Sequence, residues 1–230
     1  DERYEDWTDK YRLLSQAKWK TEDFFAPVLE QAVGFGSDPS APVYAAHDDT
    51  LLRKTGRHIP GVAYARDPLS PPFHVNLVLG QRCLQTSVLI KAQGNARMWR
   101  SIPVAFDHAA PLKAPCGASP EQRAAVKEAR KKHNMSRTAA EAIQRLRKQL
   151  DQLPHGMDRL LIDAVDGSFA NRTFLRSLPD RTVGVARLRK NAHLRAYLPK
   201  DQRHGPRKYG SELPTPEEFL QDPTIPWQER

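Results

Sequence analysis

Hydrophobic and polar positions divide the chain into a helical opening, a run of strand-like segments and an alternating second half. Over residues 3–34 the apolar positions recur at helical spacing, with Trp7, Tyr11 and Leu14 in one run and Phe24, Val28 and Val33 in the next. Thr21 suits an N-cap, Glu22 and Asp23 lie in the first turn, and Gly34 and Gly36 stop the helix. GSDPSAP, residues 36–42, reads as a loop. PVYAAH (42–47), GVAYAR (61–66), HVNLVLGQRC (74–83), TSVLIKA (86–92) and RSIPVAFD (100–107) are rich in β-branched and aromatic residues and predict a sheet of three or more strands.

The second half alternates. Ser119-Pro120-Glu121-Gln122 opens a helix to about Lys132, with Ser as cap, Pro in the first turn and an acid at the positive end of the dipole. A second helix starts at Ser136, with Ala139, Ile143, Leu146 and Leu150 as its apolar stripe. RLLIDAV (159–165) is a continuous apolar run of the kind found in buried central strands. RTFLRSLP (172–179) reads as a short helix and RTVGVARLR (181–189) as a further strand. This order predicts an α/β protein whose mixed β-sheet is flanked by helices, behind an N-terminal helical segment at residues 1–38. From residue 199 the composition shifts to Pro, charge and turn residues. No internal repeat is present.

Composition narrows the class. The 230 residues fit one large domain, or one domain with an appendage. A hydrophobic share of 39% is low but sufficient for a core, and 19 prolines imply many irregular connections. A net charge of +9 suits a polyanionic partner, nucleic acid first, and equally a merely solubilising basic surface. Cys83 and Cys116 are the only cysteines and show no CxxC spacing, so they read as reduced thiols of a cytoplasmic protein rather than a zinc site or disulfide framework. No apolar run reaches the length of a membrane span.

Two acids stand out because each follows an apolar run. In AAHDDTLLRKTGRHIPG (45–61) the run ends at Asp48 and Asp49; in RLLIDAVDGSFANRTFL (159–175) it ends at Asp166. Ligands of open α/β sheets gather at the carboxyl ends of strands. If the two strands are neighbours, Asp48 and Asp166 converge, and their mutual repulsion is relieved by a hard divalent cation. Such acids are also ordinary turn formers and caps. Asp49 is an equal candidate to Asp48. Asp163 is the rival of Asp166, but it lies inside the apolar run on the face opposite Ile162 and reads as a buried, paired acid. His47 is left out of the ligand set because hard cations prefer oxygen.

HDDTLLRKTGRHIPGVAYARD and DGSFANRTFLRSLPDRTVGVARLRKNAHL together resemble the catalytic core of DDE transposases from bacterial insertion sequences, in the DDE superfamily endonuclease branch. The family's first acid sits in an Asp-x-Thr element before a Lys-x-Gly turn, here Asp48-Asp49-Thr50 and Lys54-Thr55-Gly56. Its second acid opens an Asp-x-x-aromatic turn into a helix, here Asp166-Gly167-Ser168-Phe169, and the next strand ends in Arg-x-Arg, here within VARLRKNA (185–192).

The resemblance spans roughly residues 40–200 and implies several things. The fold is RNase H-like, with a catalytic core over 39–200 and Asp48 and Asp166 as catalytic, metal-binding residues. The cofactor is Mg2+, or Mn2+ in its place. The activity is strand cleavage and transfer at transposon ends in cut-and-paste transposition, on double-stranded DNA, by a bacterial, nucleoid-associated protein that self-associates on DNA. The family also carries a third acid, a Glu on a later helix, and none of the acids after Asp166 sits in such a helix. Residues 201–230 therefore read as an irregular tail that starts an insertion before that Glu, and 1–38 as the remnant of a DNA-binding region. A related nuclease limited to hydrolysis, and an inactive or regulatory DNA-binding remnant, are the alternatives.

Residues 187–210 are strongly basic and interleaved with Tyr197 and Tyr209, which favours phosphate contacts over a solvated charge run. Arg187, Arg189, Lys190, Arg195, Arg207 and Lys208 are the DNA-contact candidates here, joined by Arg53, Lys54 and Arg57 beside the first acid. The basic face of the 121–150 helical region is partly offset by Glu121, Glu128 and Glu141 and reads at least as well as a solvated surface.

Overall fold

The computed structural model describes residues 8, 11–12, 15, 20–35, 38, 40–67, 69–71, 73–74, 76–91, 98–154, 156–202 and 209–226. Residues 8, 11, 12 and 15 are helical; Trp7 and Leu14, also expected in a helix, lie outside the described residues.

Helix α1 runs Thr21–Gly34. Its N-cap is Lys20 rather than Thr21: the Lys20 N–H donates to Asp23 Oδ2 at 3.0 Å. Its buried residues are Leu29, Ala32 and Val33, whereas Phe24 and Val28 of the expected stripe are exposed. Strands β1 (Val43–Arg53), β2 (Ala63–Arg66), β3 (Leu77–Lys91) and β4 (Trp99–His108) follow. Next come α2 (Pro120–Lys132), α3 (Met135–Gln152), β5 (Leu161–Val165), the single turn α4 (Arg172–Leu175) and β6 (Thr182–Ala186). A small second sheet pairs β7 (Arg195–Tyr197) with β8 (Tyr209–Glu212), and α5 (Pro216–Gln221) follows it. The residues beyond 200 thus hold regular elements, and β8 pairs back across that point.

The main sheet is ordered β2-β3-β1-β5-β6, with β4 on the far side of β3 beside β2. β3 runs antiparallel to β1, β2 and β4; β1, β5 and β6 are mutually parallel. This mixed sheet with helices is the RNase H-like α/β arrangement expected from the sequence. β3 joins two segments read separately. Its fifteen residues are long enough to carry β2 at one end and β4 along the rest. Pro103 lies in β4 at an irregularity between Thr86 and Ser87, where a missing N–H is tolerated.

One face of the sheet is the core. Val43, Ala45, Leu84, Val88, Val104, Leu161 and Val165 pack there with Leu29 and Val33 of α1 and Ala139, Ile143, Leu146 and Leu150 of α3. The α3 stripe is as the sequence predicts. α2 buries nothing and is held by its caps: Gln122 N–H donates to Ser119 Oγ, and the Gln122 side chain accepts from Ser119 N–H. Two buried arginines tie the ends of the sheet together. Arg147 donates to the carbonyls of Gly156 and Arg159, and Arg159 to those of Val33, Ala41 and Pro42, which fixes where β1 and β5 begin.

Candidate active site

β1 and β5 are parallel and in register from Val43↔Leu161 to His47↔Val165. One step further lie Asp48 and Asp166. β5 and β6 are in register to Val165↔Ala186, so the same step on β6 is Arg187. On the other side Asp48 is paired with Gln85 of β3. Asp48 lies within β1 opposite Gln85, while Asp166 and Arg187 each lie one residue past the last paired position of β5 and β6. Register partners in a sheet point to the same side, and adjacent strands lie about 4.8 Å apart.

Burial identifies that side. Val43, Ala45 and His47 are buried on the core face, while Tyr44 and Ala46 are half-buried and Asp48 exposed on the other. Leu161, Asp163 and Val165 are buried, while Ala164 and Asp166 are exposed. Asp48 thus stands on the face shared by Ala46, Ala164 and Val185, the last of them 52% exposed, and Asp166 opens the exposed turn that follows β5. Asp48 does not follow the end of its strand, as the sequence had suggested. It lies within β1, which continues to Arg53 because β3 supplies partners as far as Arg53↔Gly80.

The rival acids face the core side. Asp49 pairs with Arg82 at 2.5 Å. Asp163 is fully buried and bonds His47 Nδ1 at 2.7 Å. It is the buried, paired acid the sequence anticipated. The His47 partner was not foreseen; its one sequence signal is a histidine next to an acid on an otherwise apolar strand.

The Asp166 turn is built by its own sequence. Phe169 N–H donates to the Asp166 carbonyl at 2.9 Å, and the buried Phe169 and Phe174 rings anchor the turn in the core with their centroids 6.2 Å apart. Asn171 caps α4 through the Phe174 N–H and donates to Ser136 Oγ at 2.8 Å, which ties the turn to α3. Gly167 is required for closeness: a Cβ there would lie 2.9 Å from the Arg187 carbonyl oxygen. Asp166, Gly167, Ser168, Arg187, Leu188, Arg189, Lys190 and Asn191 line one open cleft of 490 Å3.

The basic candidates divide. Arg187 and Arg189 are exposed at the cleft, and Lys190 reaches it while pairing with Glu217 at 3.0 Å. Arg195 is exposed on β7 in register with Glu212. Arg53 pairs with Asp67 at 2.7 Å. Arg57 is exposed. Lys54 is half-buried near Cys83, whose thiol is pushed up by burial and drawn the other way by the Lys54 charge. Arg207 and Lys208 lie outside the described residues.

The later acids are engaged locally: Glu212 with His193, Glu217 with Lys190, Glu218 with Thr215 and Asp222 with Thr224. Among the described residues no group of three or more His, Cys, Asp or Glu side chains forms a cation site. No helix of the described residues is long and apolar enough to cross a membrane.

Asp48 and Asp166 each offer carboxylate oxygen, are exposed and follow the last paired position of β1 and β5, donor chemistry that suits a hard cation. No curated protein and no solved structure matches the chain. The family model described as DDE superfamily endonuclease matches residues 8–229, nearly the whole length, and the chain belongs to that endonuclease family.

Proposed function

We propose that this protein is a transposase-type endonuclease that cuts and joins DNA strands at transposon ends, with Asp48 and Asp166 holding Mg2+ or Mn2+. The observation that supports the reading is the parallel β1–β5 register up to His47↔Val165, which sets Asp48 and Asp166 one step beyond the same paired position. Two carboxylates side by side repel each other, and a divalent cation held between them removes that cost. When bound, such an ion activates water and neutralises the charge that develops on the leaving oxygen of a phosphodiester.

The chain's own residues supply the rest. Arg187, one strand beyond Asp166, presents a permanent positive charge to a backbone phosphate in the cleft. Arg189 and Lys190 extend that charge along the same cleft. The +9 net charge supports DNA association of the whole chain.

One observation favours a second reading, occupation of DNA ends without cutting: the candidate ligands are two acids, and the described residues form no three-ligand site. Binding and cleavage of DNA carrying transposon ends, measured in Mg2+, separates the two. Cleavage that Asp48→Ala and Asp166→Ala each reduce by roughly 10³-fold or more, with DNA affinity retained, supports the endonuclease. Tight binding by the parent chain without cleavage supports the second reading. Cleavage that survives both substitutions contradicts the assignment of the two acids.

A further inference from the structure

The proposed chemistry leaves one buried polar pair unused. His47 and Asp163 have fully buried side chains on the core face, joined at 2.7 Å between Nδ1 and Oδ1. The Phe174 ring packs edge-on against the His47 ring, with centroids 6.5 Å apart. Val43, Ala45, Leu161 and Val165 on the same face of β1 and β5 are aliphatic. His47 Nε2, Asp163 Oδ2 and Oγ1 of Thr86, which is in register with His47, have no hydrogen-bond partner among the described residues. Burying such a pair costs stability relative to apolar side chains of similar volume. Stability therefore does not account for it.

Its geometry does. The bond is diagonal: Asp163 is in register with Ala45, not with His47. A slip of two residues between β1 and β5 keeps every apolar side chain on the core face, so small aliphatic partners discriminate poorly against it. A directional hydrogen bond between two fixed positions does discriminate, as a buried polar residue does in setting coiled-coil register. His47 immediately precedes Asp48, and Asp163 lies on the strand that delivers Asp166.

We propose that His47 and Asp163 are a positioning pair, a register key between β1 and β5 that keeps Asp48 level with Asp166. The proposal rests on the reading of those two acids as the cation-holding pair. Neither His47 nor Asp163 touches the reacting atoms.

The test uses the full chain, with Mn2+ binding followed by electron paramagnetic resonance and stability by thermal melting. The double variant His47→Leu/Asp163→Val is expected to melt at or above the parent temperature while binding Mn2+ about 10–100-fold more weakly. Asp163→Asn, which keeps an acceptor for the His47 ring, is expected to retain most of the Mn2+ affinity. Asp48→Ala is run alongside. If Asp48→Ala leaves Mn2+ binding intact, the cation reading itself fails. If Asp48→Ala abolishes binding and the double variant binds as the parent does, the register key is overturned while the cation reading stands. A double variant that no longer folds also overturns it, because the pair would then serve stability.

Discussion

The Arg82 guanidinium holds the Asp49 carboxylate at 2.5 Å on the side of β1 opposite to Asp48. Adjacent residues in a strand face opposite ways, so only one acid of the Asp48–Asp49 pair can share a face with Asp166. Asp49→Asn is expected to leave Mn2+ binding unchanged. Because the ion pair is half-exposed, the loss of stability should stay below about 1 kcal/mol. Isothermal titration of the variant with Mn2+, together with a thermal melt, checks both.

Gly167 and the Arg187 carbonyl approach so closely that a Cβ at 167 would sit 2.9 Å from backbone oxygen. Backbone atoms cannot rotate away as a flexible side chain can. Gly167→Ala is expected to destabilise the fold by about 1–3 kcal/mol and to move the Asp166 turn. Chemical denaturation measures the first effect. A cation affinity lower than that of an equally destabilised core variant measures the second.

Arg187 follows β6 and lines the cleft beside Asp166. If it contacts a backbone phosphate, Arg187→Ala weakens binding to all DNA sequences alike. The slope of log affinity against log salt then falls by about 1. Arg53, engaged with Asp67, is expected to give a smaller change on replacement by Ala. Affinity measured across a salt series for the two variants tests the ranking.

Cys83 is buried and Cys116 exposed. Burial pushes the Cys83 thiol above its ordinary range, so the folded state favours the neutral form. Its contribution to stability is constant below the ordinary thiol range and is lost as pH rises through the elevated folded value. Iodoacetamide is expected to label Cys116 first in the native protein. Cys83 should react at higher pH or after unfolding, as peptide mass mapping would reveal.

The fold was legible where the signal is local. Ser119-Pro120-Glu121-Gln122 marks a helix start because the cap is made within four residues, and the α3 stripe marks its buried face by period alone. Strand extents were less legible. β1 runs on through Asp48–Arg53 and β3 runs unbroken from Leu77 to Lys91 because each provides the other's hydrogen-bond partners, a reward that comes from elsewhere in the chain. The same reasoning divides the site. Asp48 and Asp166 could be nominated from turns and apolar runs. That they follow one paired position of neighbouring strands needs the β1–β5 register, and the pairing of His47 with Asp163, 116 residues apart, is not fixed by either stretch alone.

The most direct measurement is a crystal structure of the chain soaked in Mn2+, with the ion located by anomalous diffraction. The account predicts a peak within roughly 2.5 Å of an oxygen of both Asp48 and Asp166. A peak on either acid alone, a peak at Asp49 or Asp163, or carboxylates of Asp48 and Asp166 lying more than about 10 Å apart would contradict it.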